Sequence, residues 1–265
     1  MIDFHTHSCF SGDSEAPLEA QLKAALDLGL EALCFTDHFD AEYPDPDTNF
    51  DLDTEPYLRE IAKLQQRFSK QISLYAGVEL GLQPHLGNFY SSYCQNWPFD
   101  YVIGSTHLVD NQDPYYPKFW TNHSTRSGVE AFFQVTLENM HTHDCFDAYG
   151  HLDYINRYIP QGYPTFSHSD YTDLIDSCLR LLIHRGKALE VNTGSFRSGL
   201  SVPNPGPEIL KRYRELGGEL LITGSDAHAP QYVGSHFPEI YALIRDCGFR
   251  YVTIFRQRKP FQISL

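Results

Sequence analysis

Short apolar segments rich in β-branched residues alternate with amphipathic helical segments along most of this 265-residue chain. The predicted strands cover residues 2–4, 32–36, 73–80, 101–106, 146–150, 188–192, 220–224 and 251–255, and the predicted helices cover 17–28, 57–68, 172–185, 207–216 and 238–246. This alternation is typical of an α/β fold with parallel strands. A total of about seven or eight units favours a (β/α) barrel over an open doubly wound sheet. No G-x-G-x-x-G motif follows the first strand to indicate a dinucleotide site.

Composition narrows the class of protein. Lys and Arg number 20 against 34 Asp and Glu, a formal net charge of −14, so we expect neither nucleic acid polymers nor membranes as partners. No apolar run approaches the ~20 residues that span a bilayer and no signal-peptide pattern follows Met1, which predicts a cytoplasmic protein. The six cysteines form no C-x-x-C pair, which favours free thiols in a reducing compartment. We expect residues 1–265 to form a single domain, of an oligomeric state that the sequence leaves open.

Histidines and carboxylates gather where the predicted strands end. His5 and His7 are two residues apart at the end of the first strand, so their side chains point to the same side. Later strand ends carry His38, Glu79, His107, His151, Asp226 and His228. In a barrel these ends share one rim, and imidazoles with carboxylates are ligands of zinc, manganese or iron. The sequence therefore predicts a metal centre at the carboxyl rim.

Other features receive different interpretations. Residues 40–55 and 84–125 are predicted to be long loops, the second interrupted only by a strand, and long barrel loops commonly carry specificity. A second H-x-H, at His141 and His143, follows a predicted helix that ends near Met140, and we expect a surface turn there. His85 is compatible with either the mouth of the site or the surface.

Nucleophilic catalysis is disfavoured because the chain has no G-x-S-x-G elbow, and Cys9 has no separate base.

Seven segments in order resemble the motifs of the PHP (polymerase and histidinol phosphatase) family, in particular its monofunctional histidinol-phosphate phosphatase branch. They read FHTHSCFSGDSEAP, CFTDHFD, GVELGLQP, IGSTHLVD, YGHLDYINRY, EVNTGSFRSG and ITGSDAHAP, and they span residues 4–230. The resemblance implies a distorted (β/α)7, TIM-like barrel with a trinuclear site for zinc, iron or manganese.

The resemblance also implies which residues hold the three divalent metal ions. The first ion is assigned to His5, His7, Glu79 and Asp226, the second to Glu79, His107 and His151, and the third to Asp13, His38 and His228. Two arginines, Arg157 and Arg197, are implied to bind phosphate, and a guanidinium fork suits phosphate oxygens. Ser195 and Asn192 are weaker candidates to assist them.

The mechanism expected from this set is hydrolysis of a phosphate monoester by a hydroxide that bridges two metals. The candidate catalytic residues are Asp226, His228, Arg157 and Arg197, with His228 or a metal-held water as the general acid. Asp37 and Asp153 are expected to orient histidines.

The expected substrate is L-histidinol phosphate, hydrolysed to L-histidinol and phosphate in histidine biosynthesis. One alternative is a phosphoesterase of the same fold that acts on a nucleotide or another small phosphate ester. The other is a non-catalytic metal-binding regulatory protein.

Overall fold

Seven parallel strand positions form a nearly closed barrel in the computed structural model, which describes residues 1–45, 47–162 and 166–265. The strands are β1 (Ile2–Thr6), β2 (Ala32–Phe35), β3 (His38–Phe39), β4 (Ser73–Gly81), β5 (Tyr101–Ser105), β6 (Ala148–Tyr149), β7 (Ala188–Asn192) and β8 (Leu221–Gly224). They pair in the order β1-β2-β4-β5-β6-β7-β8, and β3 continues the line of β2 beside β4. The barrel predicted from the sequence is confirmed.

The barrel closes between the carboxyl ends of β1 and β8. The backbone N–H of His7 donates to the carbonyl of Ala227 (2.9 Å), and the N–H of Asp226 donates to the carbonyl of His5 (2.7 Å). These two bonds join the ends of the first and last strands, so residues some 220 positions apart in the chain are fixed beside each other.

The helices surround the strands. They are α1 (Leu18–Asp27), α2 (Thr54–Phe68), α3 (Gly87–Asn96), α4 (Pro117–Asn122), α5 (Thr125–Thr142), α6 (Thr172–Arg185), α7 (Gly194–Arg197), α8 (Pro207–Glu215) and α9 (Phe237–Asp246). In α2 the buried positions Tyr57, Ile61, Leu64 and Phe68 recur every three or four residues, which is the spacing of an apolar helix stripe. None of the helices in the described ranges combines the length and apolarity needed to span a bilayer.

The prediction of a long loop over residues 84–125 was wrong. This segment contains α3 and α4 as well as β5. In α3 only Tyr90 and Cys94 are buried, and one pair of buried positions is too little periodicity to mark a helix. Residues 40–45 and 47–53 contain no helix or strand, as expected of a loop, and α2 then begins at Thr54.

The eighth predicted strand lies outside the barrel. It is β9 (Tyr251–Arg256), which pairs antiparallel with β10 (Lys259–Ser264) in a separate two-stranded sheet. The Phe255 ring stacks on Tyr101, at the start of β5, with ring centroids 5.2 Å apart. The hairpin therefore covers the amino end of the barrel, opposite the rim where the histidines lie.

Candidate metal centre

The predicted histidines and acids come together at the carboxyl rim of the barrel. His5 lies on β1, Glu79 lies on β4, His38 begins β3, His7 follows β1, His107 follows β5, His151 follows β6, and Asp226 and His228 follow β8. Most of these side chains are buried, and His228 is partly exposed. Asp226 takes a φ of 56°, which is uncommon for a residue with a side chain. Strained backbone of this kind concentrates at functional sites.

Glu79 lies at the centre of the cluster and is fully buried. Its Oε2 atom is 3.0 Å from His5 Nε2 and 3.4 Å from His7 Nε2. The Oδ1 atom of Asp226 is 3.4 Å from the same His7 nitrogen. Ligands of one zinc ion at about 2.0–2.2 Å lie roughly 3.0–3.6 Å apart, so these contacts have the spacing of a single ion site, and the 3.9 Å between His5 Nε2 and Asp226 Oδ1 is slightly longer.

The other oxygen of Glu79 faces a second pair of histidines. Its Oε1 atom is 2.9 Å from His151 Nε2 and 3.4 Å from His107 Nε2. The Ser105 hydroxyl donates to Oε1 at 2.6 Å. One carboxylate thus joins two groups of imidazoles, as expected for a residue that bridges two ions.

A third group lies at the outer edge of the rim. Asp13 Oδ2 is 3.1 Å from His228 Nε2 and 3.8 Å from His38 Nε2. The Asp13 side chain remains substantially exposed. His38 also approaches Glu79, with 3.2 Å between its Nδ1 atom and Oε2.

Carboxylates behind two of the histidines fix their tautomers. Nδ1 of His5 lies 2.5 Å from Glu190 Oε1, and Nδ1 of His107 lies 2.6 Å from Asp40 Oδ2. An ionised carboxylate only accepts hydrogen bonds, so each Nδ1 carries the proton and each Nε2 of a neutral ring presents a lone pair. Both lone pairs face the oxygens of Glu79.

His228 is arranged in the same way. Its Nδ1 atom lies 2.9 Å from the carbonyl oxygen of Asp226, which fixes the proton there. Its Nε2 atom is buried without a hydrogen-bond partner in the described chain and faces Asp13. Lone pairs and carboxylate oxygens that face one another repel unless a proton or a metal ion lies between them. The donor set therefore fits divalent metal ions.

The acids of this centre stay ionised. Burial opposes ionisation of Glu79, but positive charge on the His5 and His38 rings, when these are protonated, outweighs it and holds the pKa of the carboxyl well below its usual range. Burial likewise opposes ionisation of Asp226, but Arg157 and His5 hold its pKa well below the usual value. Both carboxylates are thus available as metal ligands at neutral pH.

Sequence reasoning missed Glu190 and Asp40, the two acids that contact Nδ1 of His5 and of His107. Glu190 is a charged residue inside the apolar strand β7. A charge within an apolar segment was the one sequence feature that could have indicated its role. The acids chosen from the sequence act elsewhere. Asp37 accepts from the Ser8 and Ser11 hydroxyls, and Ser11 in turn contacts His7 Nδ1 at 3.1 Å, so it reaches a histidine through one intermediate.

Asp153 contacts no histidine among its hydrogen bonds in the described chain, contrary to expectation. It accepts from Asn204 Nδ2, and the Oδ1 atom of that amide accepts from Arg157 Nε at 2.8 Å. Asp153 therefore supports an arginine rather than an imidazole.

Both predicted arginines lie beside the histidine cluster. Arg157 donates from Nη1 to Asp226 Oδ2 (2.9 Å) and from Nη2 to Asn192 Oδ1 (2.7 Å). Arg197 donates to the backbone carbonyls of Ser225 and Asp226. The two guanidiniums share the wall of a cavity of about 250 Å³ with His151 and His228. Ser195 is turned away, since its hydroxyl donates to Val202.

A second cavity, of about 320 Å³, shares part of this wall and extends away from the arginines. It is lined by Asp13, His38, Asp40, Tyr43, Thr48, Phe50, His107, Asp113, Tyr115, Tyr116, Tyr154 and Tyr158. Its outer part, contributed by the loops after β3 and β5, is aromatic and acidic.

The remaining histidines lie outside this centre. His85 is exposed and pairs with Glu42 at 2.8 Å. The surface turn expected at His141 and His143 was wrong in one respect, because His143 is only 1% exposed. Its Nε2 atom bonds the carbonyl of Gln83 at 2.9 Å, which docks the end of α5.

Comparison with known proteins supports the same interpretation. The profile of the PHP domain family matches residues 3–194 of this chain. The histidinol-phosphatase of Lactococcus lactis is 28% identical over 97% of this chain and 95% of its own length. A probable histidinol-phosphatase of Deinococcus radiodurans is 31% identical over 98% of both chains.

A solved structure shares the fold over nearly its whole length. The crystal structure of histidinol phosphate phosphatase from Lactococcus lactis, complexed with zinc, L-histidinol and phosphate, superposes with a TM-score of 0.90. The identity is 27%, and the match covers 98% of each chain. With the family profile, the full-length relatives and the barrel geometry in agreement, this chain belongs to the PHP domain family.

Proposed function

We propose that this protein is a cytoplasmic, metal-dependent phosphatase that hydrolyses L-histidinol phosphate to L-histidinol and phosphate in histidine biosynthesis, with residues 1–265 as one catalytic domain. The observation that carries the phosphatase assignment is the set of Nε2 lone pairs facing buried carboxylates directly beside two guanidiniums. The substrate rests on the relatives, one of which was crystallised with L-histidinol and phosphate.

Three groups of side chains would hold three divalent ions, with zinc favoured by the zinc in the Lactococcus lactis structure. The groups are His5, His7, Glu79 and Asp226; Glu79, His107 and His151; and Asp13, His38 and His228. Divalent ions at such a site supply Lewis acidity toward phosphoryl oxygens and lower the pKa of water.

The arginines position the phosphoryl group. Arg157 is held by Asn192, Asn204 and Asp226, so its guanidinium plane is fixed before substrate arrives. Arg197 is held by two backbone carbonyls of the β8 end. Donors fixed in advance stabilise charge on phosphoryl oxygens without having to reorganise during the reaction.

His228 is better suited to ion binding than to acid catalysis. Its Nδ1–H is engaged by the Asp226 carbonyl, and its Nε2 faces Asp13. Neither nitrogen is left to protonate a leaving oxygen. We therefore assign His228 to the third group rather than to the general acid.

The organic part of the substrate fits the second cavity. Asp113 accepts from the Tyr43 hydroxyl at 2.8 Å, and Tyr115 and Tyr116 lie beside it. A carboxylate among tyrosine rings suits a cationic group, and histidinol carries an ammonium and an imidazole. Asp113→Asn is therefore expected to raise KM for histidinol phosphate more than it lowers kcat.

The test is phosphate release from L-histidinol phosphate, a nucleotide panel and a sugar-phosphate panel, on protein whose metal content has been measured. We expect histidinol phosphate to exceed the others by orders of magnitude in kcat/KM. A nucleotide with the highest kcat/KM would reject the substrate while leaving the phosphatase assignment standing.

His107→Ala and His85→Ala form a matched pair for the same assay. His107 lies in the cluster, whereas His85 is an exposed histidine outside it that pairs with Glu42. We expect the first variant to lose bound metal and nearly all turnover, and the second to keep both. Full activity in His107→Ala would overturn the assignment.

A further inference from the structure

Two cysteines lie close to one another outside the metal centre, although Cys145 is only six residues before His151. Cys94 lies near the end of α3, and Cys145 lies between α5 and β6. Both are free thiols, and each alters the pKa of the other. They line one wall of an open cavity of about 550 Å³, together with Arg258 from the turn between β9 and β10.

The surroundings of the two thiols are not equivalent. Cys94 is 9% exposed, whereas Cys145 is partly exposed to the cavity. The buried His143 lies beside Cys145, and its Nδ1 atom has no hydrogen-bond partner in the described part of the chain. On the other side, Arg258 donates from Nη2 to the backbone carbonyl of Cys145.

This asymmetry favours the thiolate at one position. Contact with Cys94 lowers the pKa of Cys145, and His143 and Arg258 lower it further, against the effect of burial. A thiolate that solvent can reach is the reactive form of cysteine. Cys145 is thus the attacking thiol of the pair, and Cys94 is placed to attack the mixed disulfide that forms on Cys145.

We propose that Cys94 and Cys145 form a reversible disulfide by exchange with a low-molecular-weight disulfide such as oxidised glutathione. The Cys145 thiolate attacks one glutathione sulfur, which breaks that S–S bond, releases one glutathione thiolate and leaves a mixed disulfide. Cys94 then loses its proton to solvent and attacks the Cys145 sulfur, which releases the second glutathione. Two electrons pass from the protein dithiol to one glutathione disulfide.

The bond would join α3 to the segment that enters β6. On α3 the buried Tyr90 hydroxyl donates to the carbonyls of Phe39 and Gly81, which are the last residues of the strands that carry His38 and Glu79. Closing a loop of about 50 residues restricts the unfolded chain. Oxidation is therefore expected to raise Tm, an effect that can be measured without an activity assay.

The experiment treats the metal-loaded protein with oxidised glutathione, blocks remaining thiols with iodoacetamide and maps the peptides by mass spectrometry. We expect a Cys94–Cys145 linked peptide, a loss of about 2 Da in the intact mass, and full reversal by dithiothreitol. Cys145 should also be alkylated at least about tenfold faster than the exposed Cys9 in the same molecule at pH 7.

Variants separate the two roles without depending on enzyme activity. Cys94→Ser should stop the exchange at a glutathione adduct on Cys145, about 305 Da heavier, and Cys145→Ser should leave Cys94 unmodified. The absence of the linked peptide in the wild type, or alkylation of Cys145 no faster than that of Cys9, would overturn the proposal.

Discussion

The two ends of the barrel both bury carboxylates but satisfy them by different means. At the amino end, Asp147 accepts from the N–H of Val102 (2.9 Å) and from Arg258 of the hairpin. The half-buried Asp100 accepts from the N–H groups of Ala76 and Gln257. Every one of these partners is a hydrogen-bond donor supplied by the chain itself.

At the carboxyl end some partners of Glu79 are themselves acceptors when their rings are neutral, although the Ser105 hydroxyl also donates to it. Glu79 faces Nε2 atoms whose rings already donate from Nδ1 to Glu190 or Asp40. At the carboxyl rim, lone pairs of neutral rings therefore face negative charge. At the amino end, hydrogen-bond donors face it. In barrels of this kind the carboxyl face is used for chemistry and the amino face for stability. The difference teaches that the carboxyl end, unlike the amino end, needs protons or metal ions between its acids and its imidazoles.

The sharpest test of this comparison changes one buried acid to its amide at each end. Glu79→Gln removes the charge that both groups of imidazoles share and adds an N–H₂ that faces them. We expect kcat/KM to fall by at least about 1,000-fold with loss of bound metal, measured by phosphate release and metal analysis. Circular dichroism should remain that of the folded barrel.

Asp147→Asn is the matched control at the amino end. It should lower Tm while leaving kcat/KM of the folded fraction within about twofold, because Asp147 meets only donors. Equal activity losses in the two variants would remove the contrast between the ends.

The acids behind the histidines should have a smaller effect. Glu190→Gln and Asp40→Asn leave the ligands in place but no longer fix the proton at Nδ1 of His5 and His107. Such changes reduce metal affinity or activity by about 10–100-fold, which competition with a chelator of known affinity would measure. Asp37→Asn, which acts through Ser11, should cost less than either. The reverse ranking would contradict the contacts described above.

The sequence predicted which residues meet at the carboxyl rim better than it predicted the acids that contact them from behind, and their role as metal ligands stays a prediction. Strand periodicity and shared strand ends brought His5, His7, Glu79 and Asp226 to one rim without any knowledge of long-range contacts. Which acid contacts which imidazole depends instead on how a loop or a neighbouring strand is placed. Asp40 and Glu190 therefore required the structure, as did the position of the hairpin.

Two other errors have the same origin. His143 follows α5 at a point where local spacing indicates a turn, and its burial arises only because the helix end docks on Gln83. Helix α3 buries only Tyr90 and Cys94, and it is held by Tyr90 hydrogen bonds to Gly81 and to Phe39, which is 51 residues away. Tertiary contacts decided both cases.

Removing the donor at the amino end should affect stability alone. Arg258→Met leaves Asp147 with a backbone donor only, in a partly buried pair. We expect the free energy of unfolding to fall by about 2 kcal/mol, measured by urea denaturation. The loss of Tm caused by a chelator should be the same in this variant and in the wild type, because the ends act independently. A larger chelator effect in the variant would show that the ends are coupled.

The smallest effect is expected on the flank of the barrel, where a largely buried carboxylate pairs with a partly exposed arginine. Asp176 on α6 pairs with Arg212 (2.6 Å) and His168 (3.0 Å), and the Arg212 hydrogen bonds lower the pKa of Asp176 to about 2. Because the folded pKa lies below the unfolded value of about 3.9, the pair stabilises the fold above pH 4 and loses this contribution as the pH falls toward 2. Asp176→Asn should cost about 1 kcal/mol at pH 7, and urea unfolding should show the difference from wild type constant down to about pH 4 and narrower at pH 3. A difference that widened with acid would mean that the carboxylate is not the stabilising form.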